Sequence, residues 1–137
     1  MFTKTFLAME IFKGKTILIV DDEEFNWLLF KNYLDNIPAE FLWARVAQEA
    51  IDIVASGRRI DLVLMDIKMP FKDGYTATRE ILSIDSTIPV IAQTAYVSED
   101  EKKRCFEAGC TDYVSKPIDY TELTIKMARI LREKKTS

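Results

Sequence analysis

Thr16-Ile17-Leu18-Ile19-Val20-Asp21-Asp22 is the stretch on which the reading of this chain turns. A short apolar run, rich in β-branched residues and closed by two aspartates, suits a strand buried on both faces, as in a parallel sheet. Segments of the same kind recur on the C-terminal side. Glu40 to Ala44 reads as a second strand, and Asp61-Leu62-Val63-Leu64-Met65-Asp66 as a third. Ile88 to Ala92 reads as a fourth, and Thr111 to Ser115 as a fifth, broken by Lys116-Pro117.

Helical patterns fill the intervals. Residues 24–36 carry Phe25, Leu28, Leu29 and Tyr33 on one side, and that pattern stops near Ile37-Pro38. A proline disfavours helix in the residue before it. Ala47, Ala50, Ile51 and Val54 recur at three and four, with Gly57 after the last turn. Pro70 and Asp73-Gly74 turn the next loop into a helix carrying Ala77, Ile81 and Leu82. Ser98 before Glu99, Asp100 and Glu101 is a capped helix start, with acids against the positive end of the dipole. That helix ends at Gly109 and has a thin apolar stripe, Cys105 and Ala108. Leu123, Met127, Ile130 and Leu131 mark a last helix that fades into Arg132-Glu133-Lys134-Lys135. Strands alternating with helices predict a doubly wound α/β domain, its parallel sheet covered on both faces.

Composition narrows the chemistry. At 137 residues there is room for one domain, and 48% hydrophobic with 30% charged residues is an ordinary soluble balance. There are no histidines, which excludes a Ser-His-Asp triad, a Cys-His dyad, a His-ligated zinc site and a phosphohistidine on this chain. Lys and Arg number 19 against 22 Asp and Glu, a net charge of −3 that gives no basis for direct nucleic-acid binding. Cys105 and Cys110 stand without a partner cluster, so reduced structural cysteines in a cytoplasmic protein are expected. The longest apolar run near the N-terminus, Phe6 to Met9, is too short for a signal-peptide core or a membrane span, so no membrane insertion is expected. Residues 1–14 read as an extension or ordering arm, with Met9 a possible alternative start. Residues 15–133 read as the domain and 134–137 as a polar tail.

In open parallel sheets, ligands bind at the carboxyl ends of the strands. Asp21 and Asp22 follow the first strand, Asp66 the third, Thr94 the fourth and Lys116 the fifth. Crowded carboxylates repel, at about 4 kcal/mol per pair for a separation of about 4 Å and an effective dielectric of about 20. A hard cation resolves this, and an all-oxygen cluster suits Mg²⁺. With Lys116 as a second cation and Thr94 as a donor, the set suits a phosphoryl group, and a carboxylate is a competent nucleophile for it. Asp66 is the candidate because it sits centrally.

These residues carry a resemblance. Ile19-Val20-Asp21-Asp22-Glu23, Leu64-Met65-Asp66-Ile67-Lys68-Met69-Pro70 with Asp73-Gly74, Gln93-Thr94-Ala95, and Asp112-Tyr113-Val114-Ser115-Lys116-Pro117 are similar to the receiver domain of two-component response regulators. The resemblance covers about residues 15–133. It implies a flavodoxin-like five-stranded sheet in the order 2-1-3-4-5. It implies that Asp66 accepts a phosphoryl group from a histidine on a sensor histidine kinase or histidine phosphotransfer protein. Asp22, Asp66 and the backbone carbonyl of Lys68 would bind Mg²⁺ directly, and Asp21 through a metal-bound water. Thr94 and Lys116 would meet phosphoryl oxygens, and Tyr113 would repack with Thr94 as a switch. Lys116-Pro117 would be a cis peptide. Tyr96 would shield the acyl phosphate from water. The helix from Ser98, the fifth strand and the last helix would form the signalling face towards an unidentified effector.

Each residue also has a plainer reading. Asp21 and Asp22 could cap the first helix, Asp66 could form a turn, Thr94 could be an ordinary β-branched strand end, Lys116 could be solvated, Tyr113 could be core, and Lys68 and Tyr96 could be exposed side chains with no specific role. A different class of function, a Mg²⁺-dependent phosphatase or phosphotransferase with an aspartate nucleophile, typically needs an acid two residues after the nucleophile. That position is Lys68. A stand-alone regulator and the receiver of a hybrid sensor histidine kinase both fit, as do a monomer and a phosphorylation-dependent dimer.

Overall fold

The computed structural model describes residues 9–95 and 97–136. Its strands are β1 Thr16–Val20, β2 Glu40–Ala44, β3 Leu62–Asp66, β4 Val90–Thr94 and β5 Asp112–Ser115. They form one parallel sheet in the order β2-β1-β3-β4-β5, the expected topology. The helices are α1 Glu24–Leu34, α2 Ala47–Ala55, α3 Gly74–Ile84, α4 Glu99–Ala108 and α5 Tyr120–Thr136. The order reverses between β1 and β3, and that switch opens a crevice at the carboxyl ends of these two strands.

Side chains alternate between two cores because successive residues of a strand face opposite ways. Leu18, Val20, Val63, Met65, Val90 and Ala92 pack with Ala50, Ile51, Val54, Ala77, Ile81 and Cys105 of α2, α3 and α4. Ile17, Ile19, Leu62, Leu64, Ile91 and Val114 pack with Phe30, Leu34, Leu123, Met127 and Leu131 of α1 and α5. Phe12 is fully buried in this second core. Burying one phenylalanine side chain contributes about 1.5–3 kcal/mol, and Met9 and Ile11 pack beside it against the same core.

Several expectations need correction. The apolar side of α1 is not the one the sequence pattern indicated. Phe25, Leu28 and Tyr33 are exposed and Leu29 is half-buried, whereas Phe30 and Leu34 are buried. This helix carries apolar residues on two faces, and only one meets the sheet. β4 begins two residues later than its apolar run. Pro89 has no N–H for the ladder, although its carbonyl accepts from Val63 N at 3.0 Å. Gln93 and Thr94 close the strand, paired with Asp66 and Ser115. β3 and β5 each start one residue inside the expected bounds, and α5 continues through the polar residues to Thr136.

The start and end of α4 follow its sequence signals. Ser98 Oγ accepts from Glu101 N at 3.1 Å. Gly109, at φ 106°, lets Cys110 N donate back to the Cys105 carbonyl.

Candidate functional site

The strand alternation sets the site. Ile19, Leu64, Ile91 and Val114 face the α1 and α5 core, so residues two further along each strand return to that side. Those residues are Asp21, Asp66, Gln93 and Lys116, which stand in a row across the carboxyl edge. Asp66 and Gln93 are register partners.

Asp21 is fully buried. Its Oδ1 accepts from Glu23 N at 2.9 Å and from Asn26 Nδ2 at 3.3 Å, and its Oδ2 accepts from Asn26 Nδ2 at 3.2 Å. Burial is the main cause that raises its pKa above the usual carboxylate value, and the Asp22 charge adds to it. The backbone hydrogen bond from Glu23, the Lys116 charge and Asn26 act the other way. Asp22 is exposed at the rim. Asp66 is 3% exposed, and its Oδ1 accepts from Lys68 N at 3.2 Å and Lys116 Nζ at 3.1 Å. Burial pushes the Asp66 carboxyl up to about 6; Lys116 draws it down and the charge on Asp21 raises it further.

Ligand oxygens of Asp21, Asp22 and Asp66 lie within 4.8 Å of one another. Three carboxylates this close, two of them buried, fit a hard divalent cation: the donors are all oxygen, and the buried pair resists full ionisation without added positive charge.

The remaining expected residues fall around this cluster. Thr94 ends β4 on the opposite side of the sheet from Gln93 and lines the same cleft as Asp66 and Lys116. Lys68 contributes its backbone N–H, and its side chain is exposed. The Lys116-Pro117 peptide is cis. Tyr113 is half-buried, edge-on to Phe106 of α4 at 6.3 Å, with Lys126 of α5 5.0 Å from its ring. Its ring thus lies between α4 and α5. Tyr96 lies outside the described residues.

Several residues at the site were not singled out in the sequence. Trp43 Nε1 donates to the Asp21 carbonyl at 2.8 Å, and its ring stacks on Trp27 at 5.4 Å. The Arg45 guanidinium lies 4.3 Å from the Trp43 centroid. Across the cleft, Tyr75 of α3 donates to Glu101 of α4, and Arg104 lies over the Tyr75 ring at 4.5 Å. Gly74 sits against the backbone of the acceptor strand: a Cβ there would lie 2.3 Å from the Asp66 carbonyl oxygen. The signal for Gly74 was present in Asp73-Gly74, where Asp73 caps α3 by accepting from Thr76 N at 2.9 Å. For Trp43 the signal was an N–H-bearing aromatic at the carboxyl end of a strand.

Residues 17–128 match the family model of the response regulator receiver domain. The chain is 38% identical over 106 residues to the polar-differentiation response regulator DivK of Brucella anthropi, covering 76% of this chain and 85% of that protein. It is 37% identical over 102 residues to the sensor histidine kinase RcsC of Escherichia coli, covering 74% of this chain but only 11% of RcsC. Among solved structures, it is similar to the receiver domain of the sensor histidine kinase PA1611 from Pseudomonas aeruginosa, described with a magnesium ion in its active-site cleft. That likeness has a TM-score of 0.78 and 31% identity, and covers 86% of this chain and 98% of the other.

Proposed function

Because this chain belongs to the response regulator receiver domain family, whose members are signalling domains of two-component systems that pair with histidine kinases, we propose that Asp66 is its phospho-acceptor. One observation carries the assignment: Asp66 holds its carboxylate between Asp21 and Asp22 and the Lys116 ammonium, at the crevice the sheet topology opens.

In the proposed transfer, an Asp66 carboxylate oxygen attacks the phosphorus of a partner's phosphohistidine. The new O–P bond forms as the N–P bond breaks, and the electron pair returns to the imidazole nitrogen. Lys116 stays beside Asp66 and offsets the charge brought in by the phosphoryl oxygens. Thr94 donates its hydroxyl to one of those oxygens. Asp21, Asp22, Asp66 and the Lys68 carbonyl would hold Mg²⁺, with Asp21 acting through water. When bound, the ion would supply positive charge that favours a phosphoryl group beside these carboxylates. Slow autodephosphorylation belongs to the same proposal, as does shielding of the acyl phosphate by Tyr96.

The readout follows from what is tied to the cleft. α4 is anchored mainly by Cys105 and Ala108 and by the Tyr75–Glu101 contact. A weakly anchored helix beside the site is the element a new charge can shift. Tyr113, between α4 and α5, carries that shift to a signalling face made of α4, β5 and α5, in a monomer or a phosphorylation-dependent dimer.

The donor partner, a sensor histidine kinase or histidine phosphotransfer protein, docks on the exposed apolar side of α1. The groove there is lined by Phe25, Leu29, Tyr33 and Pro117, and it shares Lys116 with the cleft. We take residues 15–133 as the receiver domain. Free, buried Cys105 and Cys110 support the cytoplasm as its compartment.

The test is to incubate the protein with a small acyl phosphate and Mg²⁺. One phosphoryl group per chain is expected, lost only slowly. Steady release of phosphate with no stoichiometric label contradicts the proposal and supports an aspartate-nucleophile phosphatase instead.

A further inference from the structure

Gln93 occupies a position where a buried strand would ordinarily carry an apolar side chain. It is 1% exposed, and the strand residue two before it, Ile91, is fully buried in the α1 and α5 core. Its Nε2 is buried and has no hydrogen-bond partner among the described residues. An unmade hydrogen bond on a buried amide disfavours the fold, so such a group calls for an explanation.

Its neighbours supply one. Gln93 is the register partner of Asp66, and alternation puts both side chains on the same side of the sheet. Lys116, from the next strand, reaches past Gln93 to Asp66 Oδ1 at 3.1 Å. Both hydrogen bonds that Asp66 accepts, from Lys68 N and Lys116 Nζ, go to Oδ1. Gln93 also lines both the cleft that contains Asp66, Thr94 and Lys116 and the groove beside α1. A donor without a partner among the described residues thus lies on the same side of the sheet as Asp66, whose Oδ2 accepts from neither Lys68 N nor Lys116 Nζ.

We infer that Gln93 is a further catalytic residue of the phosphorylation site, whose side-chain N–H donates to an oxygen of the phosphorylated Asp66 side chain. This rests on Asp66 being the acceptor. The bond is made only when the phosphoryl group arrives, so it favours the transition state and product over the resting domain. The cost of the unpaired donor falls on the unphosphorylated state alone. Gln93 therefore tilts the balance towards phosphorylation, in addition to the charges of Lys116 and a bound cation.

The experiment compares wild type with Gln93→Leu, of similar volume and no donor, using acetyl phosphate and Mg²⁺ as the donor system. Gln93→Leu is expected to unfold at a higher temperature, because the unpaired amide is gone. Its initial rate of labelling on Asp66 is expected to fall roughly ten- to hundredfold, the range for losing a hydrogen bond to a charged group. Labelling at the wild-type rate overturns the inference. A second measurement needs no substitution: the Gln93 side-chain amide resonances of wild type are followed as beryllium fluoride, a phosphoryl mimic, is added. A shift with protection from solvent exchange is expected, and unchanged resonances overturn the inference. If wild type takes up no label at Asp66, the acceptor assignment itself fails and this inference fails with it. Normal wild-type labelling with an unaffected Gln93→Leu overturns the inference alone.

Discussion

Lys116 Nζ lies 3.1 Å from Asp66 Oδ1, a contact between residues fifty positions apart that closes the site from the β5 side. Asp66 is nearly fully buried, and Lys116 is partly exposed. Removing the cation from such a pair leaves a carboxylate with no counter-charge. Lys116→Met is expected to lower stability at pH 8 by on the order of 1–3 kcal/mol in the absence of divalent cations. It is also expected to slow phosphorylation by acetyl phosphate roughly a hundredfold. Urea unfolding and initial labelling rates check the two effects separately.

The acceptor also carries a pH signature. Burial raises the Asp66 pKa from 3.8 to about 6, so the folded chain binds this proton more tightly than the unfolded chain. Between those values the folded state keeps a proton the unfolded state has lost, and stability falls as the pH rises through that window. Asp66→Asn removes the ionisation. Without divalent cations it is expected to be more stable than wild type at pH 8, by on the order of 1–2 kcal/mol, with the difference gone below pH about 4. Added Mg²⁺ is expected to narrow the gap at pH 8. An asparagine variant less stable than wild type at pH 8 contradicts the burial argument.

Gly74 tests how the acceptor strand is held. A Cβ at this position would meet the Asp66 carbonyl oxygen at 2.3 Å and Ile67 Cα at 2.8 Å, both backbone atoms that cannot swing aside. Gly74→Ala is expected to cost about 1–3 kcal/mol and to lower the labelling rate, because α3 is pushed off the strand that carries Asp66. Gly57→Ala is the control. Gly57 has φ +86° and open space around its Cβ position, away from the site. It is expected to lose about 1–2 kcal/mol, the penalty of a left-handed alanine, with labelling unchanged.

Trp43 holds the Asp21 carbonyl through its indole N–H at 2.8 Å while its ring stacks on Trp27. Trp43→Phe keeps a ring for the stack and removes the donor. A weakening of Mg²⁺ binding of about three- to tenfold is expected, the value of one hydrogen bond in a binding equilibrium. Trp27→Phe keeps the donor and is expected to bind within about twofold of wild type. Calorimetric titration with Mg²⁺ separates the two.

Much of this fold was legible because buried parallel strands write themselves as continuous apolar runs. Thr16–Val20 and Glu40–Ala44 fall where the sequence reading put them. The failures have physical causes. In α1, Phe25, Leu28 and Tyr33 have the spacing of a buried stripe but face outwards, and local periodicity cannot tell which of two apolar faces meets the sheet. In β4, hydropathy starts at Ile88, yet the ladder starts after Pro89 and runs on through polar Gln93 and Thr94. The acidic cluster was legible because strand ends in an alternating α/β chain gather at one edge. Asn26, Trp43, Gln93 and Glu101 were not, since their part in the cleft depends on side-chain direction and register that composition does not carry.

The most direct test is to locate the phosphoryl group. The protein is incubated with acetyl phosphate and Mg²⁺ and reduced with borohydride, which converts an aspartyl phosphate to homoserine, and its peptides are mapped by mass spectrometry. Homoserine is expected at position 66, in stoichiometric yield, and none in Asp66→Asn. Homoserine at Asp21 or Asp22 in wild type, or unmodified Asp66 in fully labelled protein, would contradict it.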